Sequence, residues 1–335
     1  MVQSRSEQTG EFEIIATYFK DLTGQNGVIL GIGDDGAIVD SFSKVKTQLV
    51  IATDSLVEDI HFPQEASPYN IARRALCVNL SDMAAMGANP RWFTLALTLP
   101  LKYAKPAWLK EFSVGLAEVA KDFNCALIGG DTTSGPLTIS ITMLGEVISG
   151  MALKRSGANV GDSIYVTGHL GDGAAGLSVV TNKNTREGLS YSLREHLHDR
   201  FYRPQPKITE GIDLTALASA CIDISDGLVA DIEHLCKSSG VSADVSPKSL
   251  PVDANLSAAF PEDYLAWALY GGDDYQLCFT VPPENVSKLT GWLAEGRLEA
   301  TRIGKIITCG ELGPQVLLDG LPVGELKKGF DHFGY

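Results

Sequence analysis

Aspartate beside glycine or at the end of an apolar run recurs along this sequence. It appears as Asp34 and Asp35 in LGIGDDGAIV, Asp54 in TDSLVED, Asp131 in GGDTT, Asp223 and Asp226 in IDISDG, and Asp273 and Asp274 in GGDDY. One such corner needs no purpose beyond a turn, because Asp and Gly both favour turn conformations. Five in one chain ask for a second reason. Mg²⁺ takes six oxygen ligands at about 2.0–2.1 Å and is commonly held by one or two carboxylates plus substrate phosphates. Carboxylates converging from separate loops would hold several such ions against a polyphosphate. Without a cation or proton, like charges within about 4–6 Å raise one another's pKa; with the metal, an acidic surface becomes a phosphate receptor. Asp82 in NLSDMAAMG falls near the negative end of a predicted helix, where a lone Asp is mildly unfavourable. A nearby cation accounts for it better than the alternative, a solvated helix face.

Other candidates carry two readings each. The guanidinium of Arg155 in LKRSGANVGD matches phosphate oxygens, and a linker charge would look the same. GHLGDGAAGL either brings backbone N–H groups to an anion at the next helix N-terminus or uses glycine for close packing. His61 in EDIHFP is a site candidate or a packing partner of Phe62, and His196 and His198 in LREHLHDR read better as a solvated helix face. Neither GxxxxGK[ST] nor a strand-linked GxGxxG is present; GIGDDG has the wrong spacing and no helix pattern follows at once. Six His and six Cys without ligand spacing weigh against zinc. No GxSxG surrounds Ser81 or Ser225, which weighs against a serine hydrolase.

The elements that must position these groups alternate in type. Residues 47–53 and 92–99 read as strands, 67–87 as a helix capped by Ser67 with Pro68 at its first position, and PAWLKEFSVGLAEVAKDF as a second helix. CALIG and 137–147 follow as strands. After KRSGANVGD a second set begins with strand SIYVTG. It continues with helix 206–219, strand 220–224, helix 226–238, strand 241–246, helix PEDYLAWAL, strand YQLCFTV, helix ENVSKLTGWLA, strand TRIGKI and a hairpin turning at Asp319-Gly320. This predicts an α/β protein of two mixed domains, 1–150 and 151–335. At 335 residues, 44% hydrophobic and 20% charged, the chain has material for two ordinary cores. A formal charge of −14 argues against nucleic-acid or anionic-membrane partners, and any anionic substrate must bring counter-charge. The six dispersed cysteines suggest reduced core residues, and the first residues carry neither an apolar core nor a cleavage site, so a cytoplasmic protein is expected.

GEFEIIATYF, GIGDDGA, ATDSLVEDIHF, ARRALCVNLSDMAAMGANP, LIGGDTTSGP, RSGANVGDSIYVTGHLGDGAAGL, CIDISDGL, WALYGGDDYQLCFTVP and GFDHF, in that order, resemble the thiamine-monophosphate kinases over nearly the whole chain. GIGDD, NLSD, GGDTT and SDG recur in a wider ATP-using superfamily that includes aminoimidazole ribonucleotide synthetase and selenophosphate synthetase; VEDIHF and GFDHF look specific to the kinase. The resemblance implies transfer of the γ-phosphoryl group of ATP to thiamine monophosphate, several Mg²⁺ ions, and a homodimer whose N-terminal domains pair through their sheets. It implies Asp35, Thr53, Asp54, Asp82, Asp131, Asp223 and Asp226 as metal ligands, with Ala52 offering at most its carbonyl. Gly130, Asp131, Arg155 and Ser225 would meet ATP, and His61, Asp273 and Phe330 the thiamine phosphate; Asp54, Asp131 and Asp226 would carry the chemistry. One departure stands out, GGDDYQL where the family usually has GGEDYEL, which shortens the carboxylate at 273 and puts its substrate contact in question. TNKNTREGLSYSLREHL matches no family motif and is given no role.

A phosphate monoester is already largely anionic at pH 7, its second pKa being near 6. Direct in-line transfer then needs positioning and charge neutralisation rather than a nucleophilic side chain. Two competing readings are a superfamily relative acting on an amide or selenide, and an Mg-dependent nucleotide-binding module without turnover. Selenide chemistry would favour a reactive Cys near the N-terminus, whereas the first is Cys77.

Overall fold

The computed structural model describes residues 28–30, 34–40, 46–181, 189–323 and 329. In the first half, alternation of apolar and small polar residues builds three strands of eleven residues each: β3 (Thr47–Val57), β4 (Asn89–Leu99) and β6 (Thr138–Ile148). With β1 (Val28–Leu30), β2 (Ala37–Asp40) and β5 (Ala126–Ser134) they form a sheet of order β1-β2-β3-β6-β4-β5, in which β4 and β5 run parallel and the other neighbours antiparallel. One face buries Val50, Ala52, Phe93, Ile139, Ile141 and Met143 toward the helices α1 (Pro68–Ala85) and α2 (Pro106–Asp122). The register places Leu49, Ile51, Thr53, Ser55, Trp92, Thr142 and Leu144 on the other face, where all stay at least partly exposed among the described residues.

Helix α1 starts as expected: the Ser67 hydroxyl accepts from the Asn70 N–H at 3.2 Å and Pro68 takes the first position. Two supposed corners are not corners. β3 continues through Asp54 to Val57, and β5 carries GGDTT as extended backbone paired with β4 as far as Ser134. Ladder hydrogen bonds along the neighbouring strand outweigh the turn preference of Gly and Asp there.

The second sheet comprises β7 (Ser163–Thr167), β8 (Ala220–Asp223), β9 (Ser242–Val245), β10 (Leu277–Val281), β11 (Ala300–Ile307), β12 (Val316–Leu318) and β13 (Leu321–Pro322), in the order β13-β12-β9-β11-β7-β10-β8. Asp319 and Gly320 turn the last hairpin with φ of +46° and +80°, as a two-residue turn with both centres left-handed requires. Its helices are α3 (Asp172–Val180), α4 (Tyr191–Tyr202), α5 (Ile208–Leu214), α6 (Leu228–Ser239), α7 (Ala254–Ala259), α8 (Tyr264–Tyr270) and α9 (Pro283–Ala294). α4 falls partly in the segment without a family motif; Leu193, Leu197 and Phe201 bury at four-residue spacing inside charged sequence. α5 is shorter than the predicted 206–219.

The two halves share a core. Leu76, Met83 and Phe93 of the first half cluster with Ile208, Leu214, Leu277 and Phe279 of the second. α1 is buried on nearly every side, and a Cβ on Gly211 of α5 would lie 2.1 Å from the Ala84 carbonyl oxygen of α1. This close approach brings the C-terminal end of α1, with Asp82, against the second sheet. Gly211→Ala must push the helices apart, a strain of about 1–3 kcal/mol, and a lowered Tm by calorimetry is the expected result.

Candidate active site

Three elements bring three carboxylates together: the bend before β2 (Asp35), the last turn of α1 (Asp82) and the last residue of β8 (Asp223). One oxygen from each lies within 4.8 Å of the others. They border a cleft of about 630 Å³ between the two sheets. Burial, followed by repulsion from Asp54, Asp223 and Asp35, raises the Asp82 carboxyl well above the usual range; burial and then Asp35 do the same to Asp223, against a 2.6 Å bond from the Ser81 hydroxyl. Burial pushes Asp34 up to about 7, with Asp35 next in effect. Charge pulled into close range and starved of water is the electrostatic signature of a cation site. An all-oxygen donor set suits a hard ion such as Mg²⁺.

Arg155 supplies one fixed counter-charge. Its Nη2 donates to Asp35 Oδ1 at 2.6 Å and its Nε to Asp35 Oδ2 at 3.2 Å, while its backbone N–H donates to both oxygens of Asp34 at 3.2 and 3.0 Å. Among the described residues the cleft lining holds seven aspartates (34, 35, 54, 82, 223, 226 and 273) against two arginines, 74 and 155. An anionic ligand therefore needs added cations to bind here.

Other expected residues line the same cleft. Asp54 donates its backbone N–H to Asn79 Oδ1 at 3.1 Å, and strand alternation turns Thr53 to the opposite face, where its hydroxyl donates to Thr142 Oγ1 at 2.9 Å. Ser225 and Asp226 occupy the loop after β8, which Asp231 holds: its Oδ2 accepts the N–H groups of Ser225, Asp226 and Gly227 at 3.1, 3.2 and 3.1 Å. At the far end of the cleft His61 Nδ1 accepts from the Val57 N–H at 2.9 Å, and Asp273 accepts from Arg74. Phe330 lies outside the described residues; Gly329 borders the cleft.

Gly130 and Asp131 are not in the cleft. They lie exposed in the middle of β5, where Asp131 shares a cross-strand row with Ala96, Ser140 and Ser55. Three strand spacings separate it from β3, about 14 Å, which an Asp side chain and a metal–oxygen bond do not span. GHLGDGAAGL satisfies both of its readings with the chain's own groups. Gly171 and Gly173 donate their N–H groups to the buried Asp274 carboxylate at 2.8 and 2.9 Å, and Gly173 packs where a Cβ would lie 2.3 Å from the Asp273 backbone.

Sequence reasoning assigned no role to Arg74, Phe201, Tyr275 or Asp231. Arg74 alone left a signal, the spacing Arg74, Val78, Asp82 on one helix face. His196 Nε2 lies 3.1 Å from buried Asp172, so its helix face is not simply solvated. All six cysteines are unpaired and five are buried. Among the described residues no helix is long and apolar enough to cross a membrane.

Family models for the AIR synthase related proteins match on both sides of the cleft, the N-terminal domain over residues 33–147 and the C-terminal domain over 159–316. The thiamine-monophosphate kinase of Escherichia coli K12 is 44% identical over 97% of this chain and 98% of its own. The chain belongs to the thiamine-monophosphate kinase family. Two solved structures agree. "AaThiL complexed with AMPPCP and TMP" superposes with a TM-score of 0.84 at 32% identity over 99% of this chain and 100% of that one. The kinase of Stenotrophomonas maltophilia K279a gives 0.77 at 41% identity over 89% and 93%. The family architecture of two mixed α/β domains is the fold described above.

Two measurements test the electrostatics. With one oxygen of each within 4.8 Å of the others, the trio is relieved of its repulsion either by protons or by a cation. Asp223→Asn is expected to raise the Tm without metal by about 2–5 °C and to lose the further rise that Mg²⁺ with an ATP analogue gives the unmodified protein. Asp274 provides the pH test: burial pushes its carboxyl from 3.8 up to about 7. Between those values the folded protein keeps a proton that the unfolded chain has released, so this contribution to stability is full below about pH 4 and is lost as pH rises through about 7. Asp274→Asn should flatten that part of a Tm profile recorded from pH 4 to 8.

Proposed function

We propose that the chain transfers the γ-phosphoryl group of ATP to thiamine monophosphate, releasing thiamine diphosphate and ADP in the cytoplasm. The observation that carries this reading is the convergence of Asp35, Asp82 and Asp223 at one end of a cleft whose other end holds His61, Phe201 and Asp273. A carboxylate cluster beside an organic pocket suits a nucleotide polyphosphate meeting a small phosphorylated acceptor.

Asp35, Asp54, Asp82, Asp223 and Asp226 would hold Mg²⁺ ions, with Thr53 bordering them. When bound, the ions neutralise the phosphates and the charge that develops between them. Arg155, steered by Asp35, meets the nucleotide phosphates from the same end, and the Ser225–Asp226 loop is kept in place by Asp231. His61 and Asp273 orient the acceptor, whose own anionic oxygen attacks in line. No protein nucleophile is required.

Gly130 and Asp131 join this scheme through a second copy of the chain. The face of the first sheet that carries Leu49, Ile51, Trp92 and Leu144 also carries Asp131 at its outer strand. Pairing two such faces buries these apolar side chains and carries each Asp131 toward the partner's β3.

The deciding assay incubates the protein with ATP, Mg²⁺ and thiamine monophosphate and looks for thiamine diphosphate; ATP binding without ADP release would point instead to a module without turnover. Asp54→Asn and Asp131→Asn are each expected to lower kcat by about two orders of magnitude or more with the Tm little changed. Leu144→Glu should shift the protein from dimer to monomer in sedimentation and lower activity with it.

A further inference from the structure

Arg74 is charged, only 2% exposed, and walls the cleft from the centre of α1. It spends its donors on three different parts of the chain. Nε donates to the His61 carbonyl oxygen at 3.2 Å, Nη1 to the Phe201 carbonyl oxygen at 2.8 Å and Nη2 to Asp273 Oδ1 at 2.5 Å. Its guanidinium carbon lies 4.2 Å from the Phe201 ring centroid and 5.8 Å from that of Tyr275. Every one of these partners borders the same end of the cleft.

A buried guanidinium needs its charge and its hydrogen bonds matched, and leaving it unmatched is costly. It therefore constrains its partners as strongly as they constrain it. Asp273 depends on it most. Its backbone has φ +70°, unusual for a residue with a Cβ, and its N–H is bound to the Ser225 carbonyl oxygen at 2.9 Å. Arg74 and the Tyr275 hydroxyl, at 3.1 Å, both bond Oδ1. Among the described residues Oδ2 has no hydrogen bond and remains for a ligand. Because Asp is a methylene shorter than Glu, the carboxylate cannot swing far from this anchor.

We propose that Arg74 is the positioning residue of the acceptor end of the cleft, setting Asp273, His61 and Phe201 in the geometry that receives thiamine monophosphate. This rests on the kinase reading above. Arg74 and Asp82 lie on one face of α1 with Val78 between them, so a single rigid helix spaces the acceptor end from the carboxylate trio. A lysine keeps the charge but gathers its donors on one nitrogen, whereas the three acceptors here are met by three separate nitrogens of the planar fork.

The test measures steady-state kinetics of Arg74→Lys and Arg74→Met beside the unmodified protein, varying each substrate in turn, together with the Tm. For Arg74→Lys the KM for thiamine monophosphate should rise about tenfold or more while the KM for ATP stays within about twofold. Arg74→Met should show the same selectivity more strongly where it folds; where it does not, the lysine variant decides. An unchanged KM for thiamine monophosphate, or both KM values moving together with the Tm, would overturn the assignment. If the unmodified protein makes no thiamine diphosphate, the kinase reading itself fails and this proposal falls with it; an active parent with a non-selective lysine variant sinks this proposal alone.

Discussion

Mutual repulsion among aspartates in a space too small and too dry to screen them is the constraint on which the rest of this molecule depends. Asp35, Asp82 and Asp223 come from three separate elements, and no local preference would bring them within 4.8 Å. The shared core makes them stay. α1 is gripped between the two sheets by Leu76, Met83, Ile208, Leu214 and Leu277, and apolar burial of that extent outweighs the like-charge repulsion. The fold stores an unfavourable interaction where a cation and a polyphosphate can relieve it.

The cleft is also polarised along its length. At one end Arg155 offsets Asp35 while Asp34, Asp82 and Asp223 keep the region strongly acidic; at the other, Arg74 offsets Asp273 among aromatic and apolar groups. Each arginine is anchored by carboxylate contacts, so neither is a loose surface charge. The distribution separates a place for ions and phosphates from a place for an organic acceptor. The loop after β8 and the loop before β10 connect the two ends, since the Asp273 N–H bonds to the Ser225 carbonyl oxygen.

Much of the fold was legible because its signals are local. Ser67 and Pro68 start α1, the alternation in β4 and β6 defines their faces, and Asp319-Gly320 turns the last hairpin. Signals failed where a neighbour decided the outcome. Asp54 and Asp131 have the sequence context of corners but are strand residues, because ladder pairing with adjacent strands overrides turn preference. LREHLHDR reads as a solvated helix face, and the buried stripe of α4, Leu193, Leu197 and Phe201, is hidden in it because charges that face outward or pair with α3 are interleaved with it.

The amino-acid sequence by itself determined the kind of chemistry: repeated carboxylates without a P-loop lysine, a zinc spacing or an activated nucleophile leave hard cations and phosphates as the natural ligands. Only the tertiary structure decided which carboxylates share a cleft, which arginine serves which aspartate, and that Asp131 is carried away from the cleft of its own chain. The physical reason is range. Residue type and spacing report interactions over a turn or a strand, whereas Arg74 meets Asp273 across 199 positions and Ser81 meets Asp223 across 142. Such pairings are fixed by how two sheets close on one buried helix.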